Sequence, residues 1–444
     1  MSDSLLNSTL NSPSYQIFQE QSTMSPFLYS APESLIGASK NKYSLSFPST
    51  ADMNKQVRFD LLRVGLVYCI IAKIRIKVVN ASGSTVTGAM GGAVNLIKSA
   101  DLTTHNRKIL TITKDSINNW INKLPQAQRD VIINSVQFDG ILPNKYDDDS
   151  SSTTFGQTVD ATTLTTGNTH YITTYVYLPF PCFHHLATCL DTTFLEDMAV
   201  QIQIGADSDL LEAATGTATV TIDTTNSQLD VYYINVSNDN YKAYQRGQFS
   251  LEAGRNLNIL LQDVYEEKSK QTGTLDHDTT TASEEIDLPI NCRNLIKEIV
   301  IRATPDTSGY GLEGVEVMDI AIHLNGKEYI KWTSQELLLL NCISKSTAVN
   351  LGATNQVGSH WNAANSNAGM DNIIYTLPFT LNDSMAFSGA LSARNCGNPF
   401  VRVRVREVTD GDSNQTYTVR MHCEFYSIIS ISQTDGRILK SQNI

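Results

Sequence analysis

Residues 315–341 read VEVMDIAIHLNGKEYIKWTSQELLLLN. The segment predicts a strand, a tight turn at Asn325-Gly326, a second strand and a helix that begins after Thr333. Asn-Gly is a strong signal for a two-residue hairpin because both positions can adopt positive φ. Thr333 and Glu336 have the spacing of a capping box, in which each side chain satisfies a backbone N–H group of the other residue.

The same succession of elements occurs earlier, at residues 95–121, NLIKSADLTTHNRKILTITKDSINNWI. Matching Thr113 to Thr333 gives an offset of 220 residues, which also pairs Ile112 with Trp332. The helix predicted in this copy places its apolar residues on one stripe, and these are Ile117, Trp120, Ile121 and Leu124.

Further matches follow in the same order along the chain. YVYLPF at 175–180 matches IYTLPF at 374–379 with an offset of 199, and an alternating strand follows each, AVQIQI or FVRVRV. The offset drifts from 225 at Ile74 and Ile299 to about 193 towards the closing aromatic strands, VYYINV and EFYSII. Loop insertions produce such drift, so the order of elements predicts two similar β domains in tandem.

Composition agrees with an all-β protein. Charged residues make up 18% of the 444 residues and hydrophobic residues 41%, and short alternating runs such as IIAKIRIKVV at 70–79 are typical of half-buried strands. The formal net charge of −12 disfavours functions that depend on coating phosphates. Seven scattered cysteines do not suggest a disulfide framework. We expect neither a secretion signal nor a membrane-spanning helix.

The paired segments, the composition and the length resemble the double-jelly-roll major capsid proteins of tailless icosahedral viruses, a lineage that includes lipid-containing phages and adenovirus hexon. The resemblance covers roughly residues 57–435. It implies an all-β fold of two tandem eight-stranded jelly rolls with short helices and long loops. Three such chains form a trimer whose six rolls outline a pseudo-hexagonal tile.

The expected organisation is an extended N-terminal arm at 1–56, a first jelly roll at 57–245, a second at 246–435 and a C-terminal tail at 436–444. The implied function is a major capsid protein that trimerises into capsomers and tiles an icosahedral shell. Its implied partners are neighbouring capsomers and minor capsid or vertex proteins, with an internal membrane as a further candidate. Its implied location is the virion, after synthesis and assembly in the host cytoplasm.

The alternative function is a β-sandwich protein that binds a receptor or a carbohydrate. Carbohydrate sites use exposed aromatic platforms beside polar groups, and Trp361 in GSHWNAANSN is the best candidate for such a platform. An enzyme is less favoured, because the sequence lacks the H-x-H pair of cupins and the G-x-S-x-G nucleophile elbow. We expect no catalytic residue, no cofactor and no sequence-specific binding of nucleic acid.

Three clusters are candidate sites for metals or nucleotides, and for each we favour ordinary packing or a solvated loop. Adjacent histidines in an extended segment point to opposite faces, which does not suit a tetrahedral zinc site. The acidic runs lack the order of a helix-loop-helix calcium site, and the G-x-G-x-x-G segment precedes a strand where a dinucleotide cradle needs a helix. The residues concerned are Cys182, His184, His185 and Cys189; Asp147, Asp148, Asp149, Asp276 and Asp278; and Gly309, Gly311 and Gly314.

Two alternating basic ladders stand out in this acidic chain. One is Arg402, Arg404 and Arg406, and the other is Lys73, Arg75 and Lys77. Each is either a solvated sheet face or a seam in which the cations pair with carboxylates of a neighbouring subunit or domain. The solvated face is favoured, and the six residues remain candidates for a subunit seam.

Overall fold

The computed structural model describes strands along most of the chain between Ala38 and Ser441. The described residues are 38–80, 85–88, 92–105, 107–124, 145–146, 158–159, 169–183, 189–193, 195, 197–215, 218–236, 257–272, 283–305, 315–333, 336–337, 374–379, 389–407, 416–431 and 438–441.

The first half of the described chain contains strands β1 to β14 and four short helical segments. The strands are β1 (Ala38–Ser46), β2 (Gln56–Asp60), β3 (Leu66–Asn80), β4 (Thr85–Gly88), β5 (Ile97–Thr104), β6 (Arg107–Thr113), β7 (Lys145–Tyr146), β8 (Thr158–Val159), β9 (Thr169–Tyr177), β10 (Leu190–Asp191), β11 (Met198–Ile204), β12 (Leu211–Thr215), β13 (Ala218–Ile222) and β14 (Gln228–Val236). The helices are α1 (Lys114–Lys123) and α2 (Asp207–Leu210), with 3₁₀ turns at Gly92–Leu96 and Pro181–Phe183.

The second half of the described chain contains strands β15 to β24. They are β15 (Leu257–Thr272), β16 (Glu284–Pro289), β17 (Leu295–Pro305), β18 (Val315–Leu324), β19 (Lys327–Thr333), β20 (Ile374–Pro378), β21 (Leu391–Ser392), β22 (Phe400–Glu407), β23 (Thr416–Ile431) and β24 (Ile438–Ser441).

Each half folds as two facing antiparallel sheets. In the first half, β3 pairs with β14, β10, β13 and β9, and β1 pairs with β14 at the edge. The facing sheet has the order β2-β11-β5-β6. We call the larger of the two the wide sheet and the other the narrow sheet. Two small ladders, β4 with β12 and β7 with β8, lie outside both sheets.

The second half repeats this arrangement in eight strands. Its wide sheet has β17 paired with β23, β20 and β21, with β15 and β24 on β23, and its narrow sheet has the order β16-β22-β18-β19. The counterparts are therefore β1 and β15, β14 and β23, β3 and β17, β9 and β20, β2 and β16, β11 and β22, β5 and β18, and β6 and β19. The predicted fold class, two tandem eight-stranded jelly rolls, is confirmed. We call the halves the first roll (38–236) and the second roll (257–441).

The strand ladders are bulged at matching places in the two rolls. Strand β5 is bulged at Lys98 opposite β11, and β18 is bulged at Met318 opposite β22. The hairpin strands β6 and β19 are bulged at Ile109 and Tyr329. In each pair the two bulges are 220 residues apart. The offset predicted from Thr113 and Thr333 is therefore also the offset between these equivalent strands of the two rolls.

One predicted offset is wrong. The ladder between β3 and β14 is bulged at Tyr68, and the ladder between β17 and β23 is bulged at Lys297, which makes the offset here 229 and not 225. Ile299 is therefore the counterpart of Ile70 and not of Ile74. A shift of four residues keeps every side chain on the same face of a strand, so the apolar alternation could not reveal the error.

The local signals at the hairpin turn and the capping box are confirmed. Asn325 and Gly326 have φ of 53° and 74°, the positive pair that a tight hairpin requires. The backbone N–H of Thr333 donates to Glu336 at 2.8 Å, and the N–H of Glu336 donates to the Thr333 hydroxyl at 3.2 Å, which completes the capping box.

Each roll has its own hydrophobic core between its two sheets. In the first roll Ile74 of the wide sheet and Val200 of the narrow sheet belong to one buried cluster, and Ile117 and Ile121 of α1 pack into it. In the second roll Ile299 and Val403 belong to a separate cluster. Two independent cores account for the predicted pair of domains.

The termini of the rolls differ from the predicted limits. Residues 38–46 were predicted to lie in the arm of residues 1–56, but they form β1, which pairs with β14 from Ala38 to Ser46, and Phe47 is buried in the first core. Residues 438–441, predicted as tail, form β24 on β23. Residues 1–37 and the predicted boundary at 245 and 246 lie outside the described residues.

Candidate functional site

The two rolls meet where α1 of the first roll faces the wide sheet of the second. Thr113 caps this helix, its hydroxyl oxygen accepting a hydrogen bond from the N–H of Ser116 at 3.3 Å. Ile117 and Ile121 hold one side of the helix in the first core. Asp115, in the first turn, is buried and reaches the second roll. A carboxylate in this position is also favoured by the helix dipole.

Asp115 is the centre of a charged cluster that joins the rolls. Its Oδ2 lies 3.4 Å from Nε of Arg420 on β23. Burial alone would raise the pKa of Asp115, but the positive charges of Arg420, Arg302 and His422 outweigh that effect, and the pKa is lowered. The carboxylate therefore stays ionised at neutral pH.

The face of the second wide sheet that carries this cluster is an interior surface. Val300 and His422 are buried, and Arg302 is only 7% exposed. A charge in such surroundings is tolerated only when an opposite charge lies close by, which Asp115 supplies. We call this contact the internal seam.

The internal seam has no signature in the sequence. Asp115 resembles any acidic residue in a first helical turn, and Arg420 resembles one polar position of an alternating strand. The only usable signal was that Arg420 and His422 lie on the face of β23 opposite Met421, which faces the core. Nothing in that alternation indicates what covers the polar face.

Two arginines of the β22 ladder, Arg402 and Arg404, are paired within their own roll. Arg402 makes two hydrogen bonds to Asp287 of β16, from Nε at 2.7 Å and from Nη2 at 2.9 Å, and its Nη1 lies 3.4 Å from Glu285. The hydrogen bonds from Arg402 lower the pKa of Asp287. Arg404 forms an ion pair with Asp319 of β18.

Lys331 of β19 extends this set, because its Nζ lies 3.5 Å from Asp319. Three cations therefore face three carboxylates across the second narrow sheet. Arg406 lies in β22, but its side chain is outside the described residues. The described cations of this ladder, Arg402 and Arg404, have carboxylate partners within the roll.

The lysine and arginine ladder of β3 has different surroundings. Lys73 Nζ lies 5.9 Å from the ring centre of Tyr175, and the Arg75 guanidinium lies 4.6 Å from that of Tyr171. Arg75 is also 3.6 Å from Asp223. Lys77 is half-buried on the same side of the strand. These side chains lie on the outer face of the first wide sheet, opposite the core.

The edge strand β1 extends this face. Lys40 Nζ lies 5.7 Å from the ring centre of Tyr68, and Lys42 Nζ lies 5.6 Å from that of Tyr232. Lys42 also forms a 2.7 Å ion pair with buried Asp230. We call the whole surface the basic tyrosine face; it comprises Lys40, Lys42, Lys73, Arg75, Lys77, Tyr68, Tyr171, Tyr175 and Tyr232.

Most of the candidate metal and nucleotide positions fall outside the described residues. These are His184, His185, Asp147, Asp148, Asp149, Asp276, Asp278, Gly309, Gly311, Gly314 and also Trp361. Cys182 and Cys189 are described, and both are buried. Within the described ranges, no group of three or more His, Cys, Asp or Glu side chains is placed to hold a metal ion. No described helix has the length and apolar character needed to span a membrane.

No family model and no curated protein sequence matches the chain. Solved structures do. One is VP54 of PBCV-1, whose crystal structure was fitted into a cryo-EM reconstruction of the virophage Sputnik. Its TM-score is 0.63 at 11% sequence identity, and the match covers 94% of this chain and 99% of that one. The Faustovirus major capsid protein has a TM-score of 0.56 at 10% identity, and the match covers 96% of this chain and 98% of that one. The mavirus major capsid protein gives 0.52 at 10% identity, over 90% of each chain.

At such identities the likeness is evidence of fold. It spans nearly the full length of each protein, so it includes both rolls and their order along the chain. Together with the matching sheets and bulges, it shows that this chain has the double-jelly-roll fold of viral major capsid proteins.

Proposed function

We propose that this chain is a major capsid protein whose trimers form pseudo-hexagonal capsomers that tile an icosahedral shell. The observation that carries the proposal is the likeness of both rolls, over 96% of this chain, to a protein named as a major capsid protein. On this view the function is structural, with no catalytic step.

The geometry supports the proposal in a second way. A duplicated chain holds two similar rolls side by side, and three copies arranged around a threefold axis place six rolls in one ring. A ring closes only when the same interface joins every pair of neighbours and the rotations between neighbours add up to one full turn. A duplicated unit meets that condition with three chains where single rolls would need six.

We propose further that neighbouring capsomers and minor capsid or vertex proteins are its partners and that the assembled virion is its location. The formal charge of −12 supports protein contacts over binding to nucleic acid. An arm at residues 1–37 and contact with an internal membrane belong to the same proposal.

We also propose that the arginine ladder of β22 stabilises the second narrow sheet and is not a subunit seam. Arg402 and Arg404 already have carboxylate partners in their own roll. Arg404→Ala should therefore leave the oligomeric state unchanged in light scattering. A variant that dissociates into folded monomers would assign Arg404 to a seam between subunits.

Electron microscopy of the expressed full chain tests the main proposal. We expect particles of about three times the 48.9 kDa of one chain by light scattering, and hexagonal tiles or closed shells in negative stain. Monomers at every concentration would refute the proposal. Binding to a glycan array without any assembly would favour a carbohydrate-binding surface protein.

A further inference from the structure

We propose that Asn325-Gly326 is a self-modification site that the fold keeps closed. The pair deamidates when the hairpin of β18 and β19 opens, and a hydrogen bond from Gly397 holds the reaction back in the folded chain. The reaction is irreversible, so the site marks any chain whose second narrow sheet has opened at this edge. The inference goes beyond the proposed function, since it concerns the chemical lifetime of the chain and not its assembly.

The chemistry follows from the residue pair. The chain contains a single Asn-Gly sequence. The backbone nitrogen of Gly326 can attack Cγ of Asn325, because glycine has no side chain to hinder the approach. The nitrogen loses its proton and bonds to Cγ, the bond from Cγ to Nδ2 breaks, and ammonia leaves with that proton. Water then opens the cyclic imide at either carbonyl and gives aspartate or isoaspartate.

The pair lies on an open part of the surface. Asn325 and Gly326 are both exposed, and a Cβ built on Gly326 would meet no atom of the described chain within 4 Å. The water that the hydrolysis needs is therefore at hand. Protection in the folded chain has to come from conformation and not from burial.

The turn itself holds the reacting atoms apart. Asn325 and Gly326 have φ of 53° and 74°, as in the type I′ turn of a two-residue hairpin. The planar imide ring needs Cβ of Asn325 and the nitrogen of Gly326 on the same side of the bond between Cα and the carbonyl carbon. In the left-handed conformation Cβ lies instead beside the carbonyl oxygen, opposite that nitrogen. The turn must therefore open before the nitrogen can reach Cγ.

A hydrogen bond to a second loop fixes the Asn325 side chain. The backbone N–H of Gly397 donates to Oδ1 of Asn325 at 2.6 Å, across 72 residues of sequence. An N–H group needs an oxygen as its acceptor, so the bond also decides which amide atom faces Gly397. This loop has its own turn, in which the N–H of Cys396 donates to the carbonyl of Ala393 at 3.2 Å. The amide is thus anchored while the hairpin is closed.

The equivalent turn of the first roll shows that an amide is not needed to shape this hairpin. At the offset of 220 residues His105 takes the position of Asn325, and its φ is 46°. Histidine is one of the residues that adopt positive φ more readily than most. The chain therefore builds the same hairpin twice and places the reactive pair in the second roll alone.

The two products should affect the fold differently. An aspartate carboxylate can still accept the N–H of Gly397. Isoaspartate adds one methylene to the backbone of a two-residue turn. Leu324 pairs with Lys327 directly across this turn, so the added length disturbs the end of the ladder between β18 and β19. A chain that has opened and formed isoaspartate cannot close this edge as before.

The test measures deamidation of the full chain at mildly alkaline pH by peptide mass spectrometry that resolves aspartate from isoaspartate. We expect Asn325 to react at least about tenfold more slowly in the folded chain than in the chain unfolded in urea, because the reaction waits for local opening. Gly326→Ala should slow the reaction in urea as well, since its methyl group hinders the attacking nitrogen.

Two substitutions of Gly397 separate the hydrogen bond from the turn. Gly397→Pro removes the N–H that binds Asn325. Gly397→Ala is the matched control, because it keeps the N–H and its Cβ would lie 3.6 Å from Oδ1, an ordinary contact distance. In the folded chains the proline variant should deamidate roughly fivefold faster than the alanine variant, as expected for the loss of one hydrogen bond. Circular dichroism checks that both are folded.

Equal rates in the folded and the urea-unfolded chain would overturn the inference, and so would equal rates in the folded proline and alanine variants. If the proline variant does not fold, hydrogen exchange of the Gly397 amide in the unchanged protein decides. Slowed exchange supports the anchor, and exchange as fast as in the unfolded chain overturns it. These outcomes leave the capsid function standing, because the assembly experiment tests that function by itself.

Discussion

Replacing Asp115 with Asn should lower the free energy of unfolding by about 3 kcal/mol. At the 3.4 Å that separates Asp115 from Arg420, a charge pair gains roughly 5 kcal/mol at an effective dielectric constant of about 20. Desolvation and the partial exposure of Arg420 reduce that gain. The variant loses stability because Arg302 and Arg420 no longer face the negative charge of Asp115. Removing one partner of a buried ion pair typically costs about 3–5 kcal/mol. We take the lower end because Arg420 reaches water.

The same variant should alter the acid sensitivity of the protein. The pKa of Asp115 is lower in the folded state than in the unfolded chain, where it is about 4. Its stabilising effect is therefore complete above about pH 4 and is lost as the pH falls through the folded-state pKa. As the pH falls below about 4, the free energy of unfolding of Asp115→Asn should therefore decrease less than that of the unchanged protein.

The assay is urea denaturation of the full chain at pH 7 and fixed protein concentration, followed by tryptophan fluorescence. Trp120 lies on α1 with its ring centre 4.8 Å from that of Tyr177, so it reports on the helix that forms the internal seam. A double-mutant cycle with Arg420→Gln should give a coupling energy of about 2 kcal/mol.

Asp60→Asn provides the matched control. Its carboxylate lies 2.8 Å from Arg58, closer than Asp115 lies to Arg420, but both side chains are exposed. Exposed pairs typically contribute less than about 1 kcal/mol. A coupling energy below about 0.5 kcal/mol for Asp115 and Arg420, or an equal loss in Asp60→Asn, would refute the reasoning that the internal seam depends on buried charge.

Three further experiments have defined outcomes. Gly65→Ala should lower the free energy of unfolding by roughly 3 kcal/mol, because φ is +151° and the new Cβ would lie 2.4 Å from the carbonyl oxygen of Ile234. Gly326→Ala, at φ +74° in open space, should lower it by only about 1–2 kcal/mol in the same urea titration. Thr113→Ala should cost about 1 kcal/mol by removing the cap of α1, and Thr113→Ser should retain most of that stability in thermal melts. Burial raises the pKa of Cys189 to about 12, so iodoacetamide at pH 8 should label it much more slowly in the folded than in the unfolded protein. Labelling is followed by mass spectrometry. Rapid labelling of Cys189 in the folded protein would contradict its burial.

The features that could be predicted from the sequence are those that depend on residues close together in the chain. Asn325-Gly326 forms its turn, and Thr333 and Glu336 form their reciprocal hydrogen bonds, because each motif contains all the groups it needs. The offset of 220 was also correct, since it was anchored at a helix start and a hairpin together.

The features that could not be predicted depend on pairing between distant strands. Nothing in the run around Lys297 marks it as a bulge, so the offset at Ile299 was wrong by an even number of residues. Residues 38–46 appeared to belong to an arm because only Tyr43 and Leu45 supply apolar contacts to the first core, a pattern that a polar edge strand shares with an extended segment.

The two basic ladders show the same limit at the candidate site. In the sequence, Arg402 and Lys73 both alternate with apolar residues. Only the register of the sheets places Asp287 beside Arg402 and Tyr175 beside Lys73. The contact between Asp115 and Arg420 joins residues in different rolls, so neither local pattern contains it.

The charged cluster at Asp115 has a consequence for how the molecule is built. Rolls tethered within one polypeptide meet at a high effective concentration and need not part once folded, so the arginines between them seldom have to regain water. The lysines that lie over tyrosine rings on the first wide sheet are placed differently, because their ammonium groups stay in contact with water. Duplication has thus allowed one chain to enclose charge at a junction that never has to open.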